Sequence, residues 1–263
     1  MDGYLGRILS VDLTNGKIVD EPLNAEDARM FVGGSGLACR YLYDLIDADT
    51  DPLGPENPLV FMTGPLVGTQ APSCGRFLIC ARSPATGIWG ESNVGGFLGP
   101  ELRFAGYDGI VIRGQAPSPT YLFIKDGRAE LRSASHLWGQ DTYKAQRAIR
   151  QELGDSRVRV ACIGVAGENL VKYGAVMADG GRAAGRAGMG AVMGAKRLKA
   201  VACRGSGPIP LSDGQAFRDI ARAVLLEVKD DVTTQILRQT GTAGSADYLA
   251  LLGDMPNRYF TQG

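Results

Sequence analysis

The sequence predicts an α+β fold: a duplicated mixed-sheet domain followed by the start of an all-α domain. Three observations carry this. Strand-like runs with period-two alternation are interspersed with helical spacings in no regular βαβ rhythm. Asn15-Gly16 and Asp126-Gly127 each sit between two strand-like runs and read as hairpin turns. Gly95–Gly114 (GGFLGPELRFAGYDGIVIRG) also echoes Gly188–Gly205 (GMGAVMGAKRLKAVACRG), each passing from a glycine-rich loop to a helix to a short apolar strand that ends in Arg-Gly. A long-period echo of this kind predicts two related halves, with their glycine-rich loops about a pseudo-twofold axis.

The elements follow in order. Gly6–Leu13 alternates apolar and polar residues, and Lys17–Leu23 completes the opening hairpin. Asn24 is an N-cap candidate for a helical spacing that runs to Asp47 and breaks at Gly33-Gly34-Ser35-Gly36. Pro58–Pro65 and Arg76–Arg82 read as short strands joined by a loop over Thr69–Gly75. Gly96–Phe104 reads as a short helix and Gly109–Arg113 as a buried strand. Thr120–Ile124 and Ala129–Arg132 form the second hairpin, Asp141–Leu153 is helical, and Val158–Ile163, Lys172–Met177 and Lys199–Arg204 are strands. From Pro208 the texture changes: Ile209–Asp213 is a linker and cap, Gln215–Val228 is helical, and Thr234–Leu252 is helical on either side of Gly241 and Gly244. The expected domains are therefore 1–208 and 209–263, the second cut short at PNRYFTQG, an ending that reads as part of a longer protein.

Composition narrows the functional classes. The 263 residues are 44% apolar and 21% charged, an ordinary globular balance. Lys+Arg and Asp+Glu are both 28, so the chain lacks the broad basic surface that nucleic acid requires. Its 5 cysteines form no C-x-x-C pair and its 1 histidine, His136, lies outside any ligand cluster, which argues against a zinc site. MDGYLGRILSVDL has no signal-peptide pattern, and no apolar run approaches the roughly 18 residues of a membrane helix. These features read as a cytoplasmic protein with reduced thiols and no membrane partner.

The chemistry-bearing stretch is Asp179–Lys199, DGGRAAGRAGMGAVMGAKRLK. It combines dense glycine with Arg182, Arg186, Lys196, Arg197 and Lys199, and carries no acid after Asp179. Glycine lets backbone approach a ligand closely, and arginine offers a planar fork that suits phosphate. A packed core needs neither the cations nor so little side-chain bulk, so the stretch reads as a cradle for a phosphorylated ligand. Ala71–Arg76 (APSCGR), Glu91–Gly96 (ESNVGG) and Gly181–Arg186 (GRAAGR) belong together as segments with small residues, exposed backbone N–H groups and an Arg or Asn. None is a Walker A loop, and GRAGMG does not match the dinucleotide fingerprint. For one such segment, tight turns and close helix packing account for the glycines; three, two of them with Arg, point to a ligand. Cys74 reads as a small buried residue, His136 as structural and Glu91 as a solvated or capping acid.

GRILSVDLTNGKI, DPLGPENPLVFMTGPLVGTQAPSCGR, SNVGGFLGPELRFAGYDGIVIRG, SHLWG, GVAGENLVKYGAVM and GGRAAGRAGMGAVMGAKRLKAV occur in this order. Together they resemble the aldehyde:ferredoxin oxidoreductase family, whose members carry tungsten, or molybdenum, on two pterins. The resemblance runs from Gly6 to about Gly205 and implies that this domain is the base beneath the cofactor. It implies that Arg76 meets a pterin phosphate or ring edge, that Asn93, Gly95 and Gly96 line one phosphate loop, and that Arg182, Ala183, Ala184, Gly185 and Arg186 line the other. It further implies a Mg²⁺ between the phosphates, held by the backbone carbonyls of Asn93 and Ala183. A [4Fe–4S] cluster belongs to the complete enzyme, but its C-x-x-C-x-x-x-C run and the acid–base residues do not occur in these residues. The implied reaction turns an aldehyde and water into a carboxylate and passes electrons to ferredoxin or another electron-transfer subunit; a homo-oligomer is compatible with it. Two other readings stay open: a non-catalytic cofactor-binding scaffold, and a nucleotide- or sugar-phosphate-binding enzyme using the same anion loops.

Overall fold

Asp12 closes the first turn. Its carboxylate accepts from the backbone N–H groups of Thr14 (2.9 Å) and Asn15 (3.3 Å) and from the Asn15 amide (2.6 Å), which together hold it below its ordinary pKa, the Asn15 side chain most of all. The computed structural model describes residues 2–259 and 261. Around this turn strands β1 (Arg7–Asp12) and β2 (Lys17–Pro22) pair antiparallel, and helices α1 (Ala25–Phe31) and α2 (Gly34–Leu45) follow. Asn24 caps α1, accepting from Glu26 and Asp27 N–H. Strands β3 (Leu59–Met62), β4 (Phe77–Arg82) and β5 (Trp89–Val94), helix α3 (Leu98–Phe104) and strand β6 (Gly109–Arg113) complete the first half. The second half runs β7 (Thr120–Lys125), β8 (Arg128–Ser133), α4 (Thr142–Glu152), β9 (Arg159–Cys162), α5 (Val165–Glu168), β10 (Val176–Ala178), β11 (Arg182–Ala184), α6 (Met189–Ala195) and β12 (Leu198–Arg204).

The duplication is visible in the strand order. The first sheet is β2-β1-β6-β3-β4-β5, and the second, taken from its β8 end, is β8-β7-β12-β9-β10-β11. Each is mixed in the same way: β1 runs parallel to β6 and β7 to β12, while every other pair is antiparallel. The fold is α+β with two six-stranded sheets. Alternation sorts the strands' side chains into layers. Leu9, Leu59, Phe61, Ala161 and Val201 enter a central core shared by both sheets, α3 and α6. Ile8, Val60 and Met62 face α2 on one outer side, and Val160, Cys162 and Ala202 face α4 on the other.

Contact density divides the chain into two units, Met1–Thr69 with Ser73–Ser212, and Gln70–Pro72 with Asp213–Gly263. The second unit holds helices α7 (Gly214–Asp230), α8 (Val232–Thr240) and α9 (Ala246–Leu251), with Asp213 and Asp231 as N-caps of the first two. Tyr259 lies in this unit, whereas Phe260 and the final Gln262-Gly263 fall outside the described residues. Among the described residues no helix is long and apolar enough to cross a membrane.

Candidate functional site

The sheet register brings two of the expected ligand positions into correspondence. In the first sheet one rung runs Ile8, Gly109, Met62, Leu78, Asn93. In the second the same strands in the same order give Tyr121, Ala200, Cys162, Met177, Ala183. Asn93 and Ala183 therefore end equivalent rungs, on edge strands β5 and β11, which lie against each other. Both residues are exposed, as are Arg76, Arg182, Gly185 and Arg186; Gly95 and Gly96 are half-buried and Ala184 is buried.

Cross-links between the halves set the site. The Arg186 N–H donates to Ser92 Oγ at 3.0 Å, and Ser83 Oγ donates to the Ala187 carbonyl at 2.9 Å. Asp179 Oδ2 accepts from Phe97 N–H at 2.6 Å and Leu98 N–H at 3.1 Å. Arg76 clasps Asn93, its Nε on the side-chain oxygen and Nη2 on the carbonyl at 3.2 Å. Among the described residues the guanidinium groups of Arg182 and Arg186 have no acceptor and no carboxylate partner. Exposed, unneutralised cations beside small residues are a surface for an anion.

Three expectations are corrected here. First, the five-cation cradle does not exist as such. Lys196 and Lys199 are 1% and 0% exposed. Lys196 donates to the carbonyls of Pro55 (3.0 Å) and Gly114 (3.1 Å), and burial pushes its ammonium down to about 8. Lys199 pairs with buried Glu168 and donates to the Gln140 carbonyl at 3.0 Å, while Arg197 binds the Pro117 carbonyl. Lys196 and Lys199 brace loops from inside, Arg197 is exposed but held on a carbonyl, and among the described residues only Arg182 and Arg186 of the five have guanidiniums with no acceptor. Second, a glycine-rich stretch does serve as core: every residue of α6 is buried. A Cβ on Gly194 would stand 1.9 Å from the Gly167 carbonyl oxygen, so its role is close packing against α5. A Cβ on Gly185 would meet only Ala183 at 3.9 Å, so that glycine leaves open space.

Third, Glu91–Gly96 and Gly181–Arg186 are not wholly loops: Glu91–Val94 lies within β5 and Arg182–Ala184 is β11. Of Ala71–Arg76, Ala71 and Pro72 cluster with the helical unit, and Arg76 bonds Asn93. Burial pushes the Cys74 thiol up, consistent with an unreactive residue. His136 Nε2 lies 3.3 Å from a Glu152 carboxylate oxygen. Sequence reasoning passed over Asp179 and Ser92, which hold the two halves in register. An acid at the mouth of a cationic stretch was the available signal for Asp179.

The profile of the aldehyde ferredoxin oxidoreductase N-terminal domain matches residues 8–205. The chain belongs to the aldehyde ferredoxin oxidoreductase family. Over its whole length it is 45% identical to the tungsten-containing aldehyde ferredoxin oxidoreductase of Thermococcus kodakarensis and 44% identical to that of Pyrococcus furiosus, covering 44% of each. It is 38% identical over 225 residues to the WOR-like subunit of an aliphatic sulfonate oxidoreductase from Pyrococcus furiosus, covering 80% of this chain and 36% of that one. Among solved structures, the active site complex BamBC of benzoyl coenzyme A reductase superposes with a TM-score of 0.85 at 38% identity, over 87% of this chain and 35% of that chain. The chain thus spans less than half the length of these relatives.

Proposed function

We propose that this chain forms the cofactor-binding base of a tungsten bis-pterin enzyme that oxidises an aldehyde to a carboxylic acid. The observation that carries the reading is the pair of unpartnered, outward guanidinium groups, Arg182 and Arg186, set against the Asn93 strand of the other half. The identity of 45% and 44% over the whole of this chain to part of two tungsten-containing relatives supports tungsten as the metal. Arg76, Arg182 and Arg186 would hold the pterin phosphates, and Asn93, Gly95, Gly96, Ala183, Ala184 and Gly185 would line their loops. Small side chains there leave the N–H groups open to anionic oxygens. The equivalent rungs of Asn93 and Ala183 support a Mg²⁺ held by their two carbonyls, a hard cation taking oxygen ligands and retaining water. Arg76 occupies the Asn93 carbonyl in this structure, and on this reading it exchanges that contact for a phosphate oxygen.

When bound, the group supplies the two-electron chemistry that converts an aldehyde and water to a carboxylate. This chain's residues fix its phosphates and exclude solvent from beneath it. A [4Fe–4S] cluster would carry the electrons on to ferredoxin or another electron-transfer subunit; its C-x-x-C-x-x-x-C ligand run does not occur in these 263 residues. A cytoplasmic setting with reduced thiols suits that chemistry. A second reading, favoured by the identity to a WOR-like subunit, makes the protein one subunit of a larger assembly acting on another substrate. The test is the complete protein, produced anaerobically with tungstate and given aldehydes and a viologen dye. Aldehyde-dependent dye reduction is expected. A pterin-loaded protein inert to every aldehyde offered would favour the second reading, and a protein that carries a nucleotide in place of a pterin would refute both.

A further inference from the structure

The turn that carries Asp179 holds an unusual concentration of unsatisfied polarity. Asp179 has φ 46°, a left-handed conformation uncommon for a residue with a side chain, and Gly180 and Gly181 follow at 74° and 143°, which glycine takes freely. Asp179 Oδ1 is buried with no partner among the described residues. The only other such side-chain atoms there are Gln146 Nε2, Arg159 Nε and Arg103 Nε; Gln146 holds this same turn, and Arg159 packs on the residue that Asp179 binds. Gln146 Oε1 accepts from Gly180 N–H at 3.0 Å, and the Arg159 guanidinium lies 4.6 Å over the ring of Phe97, whose N–H Asp179 accepts. Unpaired buried groups and strained backbone in one place signal a constraint other than stability.

The constraint is geometric. Asp179 sits three residues before Arg182, on the turn from β10 into β11, yet its carboxylate binds the start of α3 in the other half. Gly96 takes φ 114°, and a Cβ there would stand 2.5 Å from Asp179 Oδ2, so the carboxylate fills the space that glycine leaves. The segment holding Asn93, Gly95 and Gly96 and the segment holding Arg182–Arg186 are thereby tied through one side chain.

We propose that Asp179 is a positioning residue: its carboxylate sets the spacing of the two phosphate-side segments across the duplicated halves, so that a ligand spanning both finds them in register. This rests on the cofactor reading above for the ligand's identity, while the brace itself is a property of the chain. A carboxylate beside phosphates repels them unless its charge is absorbed, and the Phe97 and Leu98 N–H groups absorb it.

The experiment uses the complete protein and its Asp179→Ala and Asp179→Asn variants. Hydrogen exchange is followed by mass spectrometry on peptides spanning 94–100 and 180–187, pterin release is followed by fluorescence well below the melting temperature, and thermal unfolding is read alongside. Asp179→Ala is expected to speed exchange of both peptides and release of pterin about tenfold. Asp179→Asn keeps a neutral acceptor, roughly half as strong, and is expected to restore most of the effect, to about threefold of wild type. A merely structural role would lower the melting temperature without moving release at low temperature, and that result overturns the proposal. Wild-type exchange and release in both variants overturns it too. Should Asp179→Ala not fold, Asp179→Asn decides, because unchanged exchange of both peptides in that variant refutes the brace. A wild-type protein without pterin would instead refute the cofactor reading, and the exchange data would still test the brace.

Discussion

Gly194→Ala tests whether the glycine-rich stretch has been divided correctly between packing and ligand binding. In a solvent-exposed helix this change gains about 1 kcal/mol, because alanine is the better helix former. Here the added methyl carbon would stand 1.9 Å from the Gly167 carbonyl oxygen and 2.7 Å from its carbon. The obstacle is backbone, which has no rotamer to yield, so α6 must move away from α5 by more than an ångström. Helix α6 itself carries Met189, Val192 and Met193 into the central core, so its shift disturbs that core. Overpacking of this kind costs about 1–3 kcal/mol and occasionally more; against backbone on a fully buried helix the upper end applies, for a net loss of about 3 kcal/mol. In a domain of this size that lowers the melting temperature by about 6–12 °C. The assay is paired thermal and urea unfolding of Gly194→Ala beside Gly185→Ala, which meets open space and should change stability little while still crowding a ligand. Equal stability of Gly194→Ala and wild type would refute the packing assignment, and with it the separation of the two kinds of glycine.

Arg76→Ala or Arg182→Ala in the complete protein should lower pterin and tungsten together by roughly ten- to a hundred-fold in affinity, the worth of a charge-assisted bond, with lysine a partial replacement for lack of the fork; full occupancy in both would remove them from the site. Ala183→Ser should keep magnesium, since the carbonyl stays, whereas Ala183→Pro should lose it by fixing φ and removing an N–H in β11; the readout is magnesium per pterin in folded protein. The buried Lys196 ammonium titrates near 8 in the folded chain against an ordinary 10.5, so the unfolded state holds more protons between those values and stability rises with pH across that window. Lys196→Met should flatten that rise in urea unfolding measured from pH 8 to 10, and an unchanged slope would move the shifted group elsewhere.

What could be read without coordinates was what neighbours in sequence decide. Asn15-Gly16 and Asp126-Gly127 are local turn signals, and both hairpins form around them. The Arg-Gly echo pointed to a duplication because β6 and β12 occupy the same place in their sheets. What stayed hidden depends on distant partners. Glu91–Val94 reads as a polar loop, yet it is a strand because β4 pairs with it, and its polar residues suit the edge of the sheet. Lys196 and Lys199 look like surface cations until carbonyls from residues 55 and 114 and the carboxylate of Glu168 are folded around them. Of the site, Arg182 and Arg186 were legible as an unbalanced basic pair. The correspondence of Asn93 with Ala183 follows from strand register, and the reach of Asp179 to Phe97 from the packing of the two halves, neither of which a local pattern encodes.

The central claim is that the paired edge strands hold the phosphates of a tungsten bis-pterin group. Elemental and pterin analysis of the complete protein, purified anaerobically from cells supplied with tungstate, tests it most directly. The account predicts tungsten with two pterins for each metal and magnesium alongside, all falling together when Arg76 and Arg182 are replaced. Protein that is folded and active toward any substrate yet carries no pterin would contradict it.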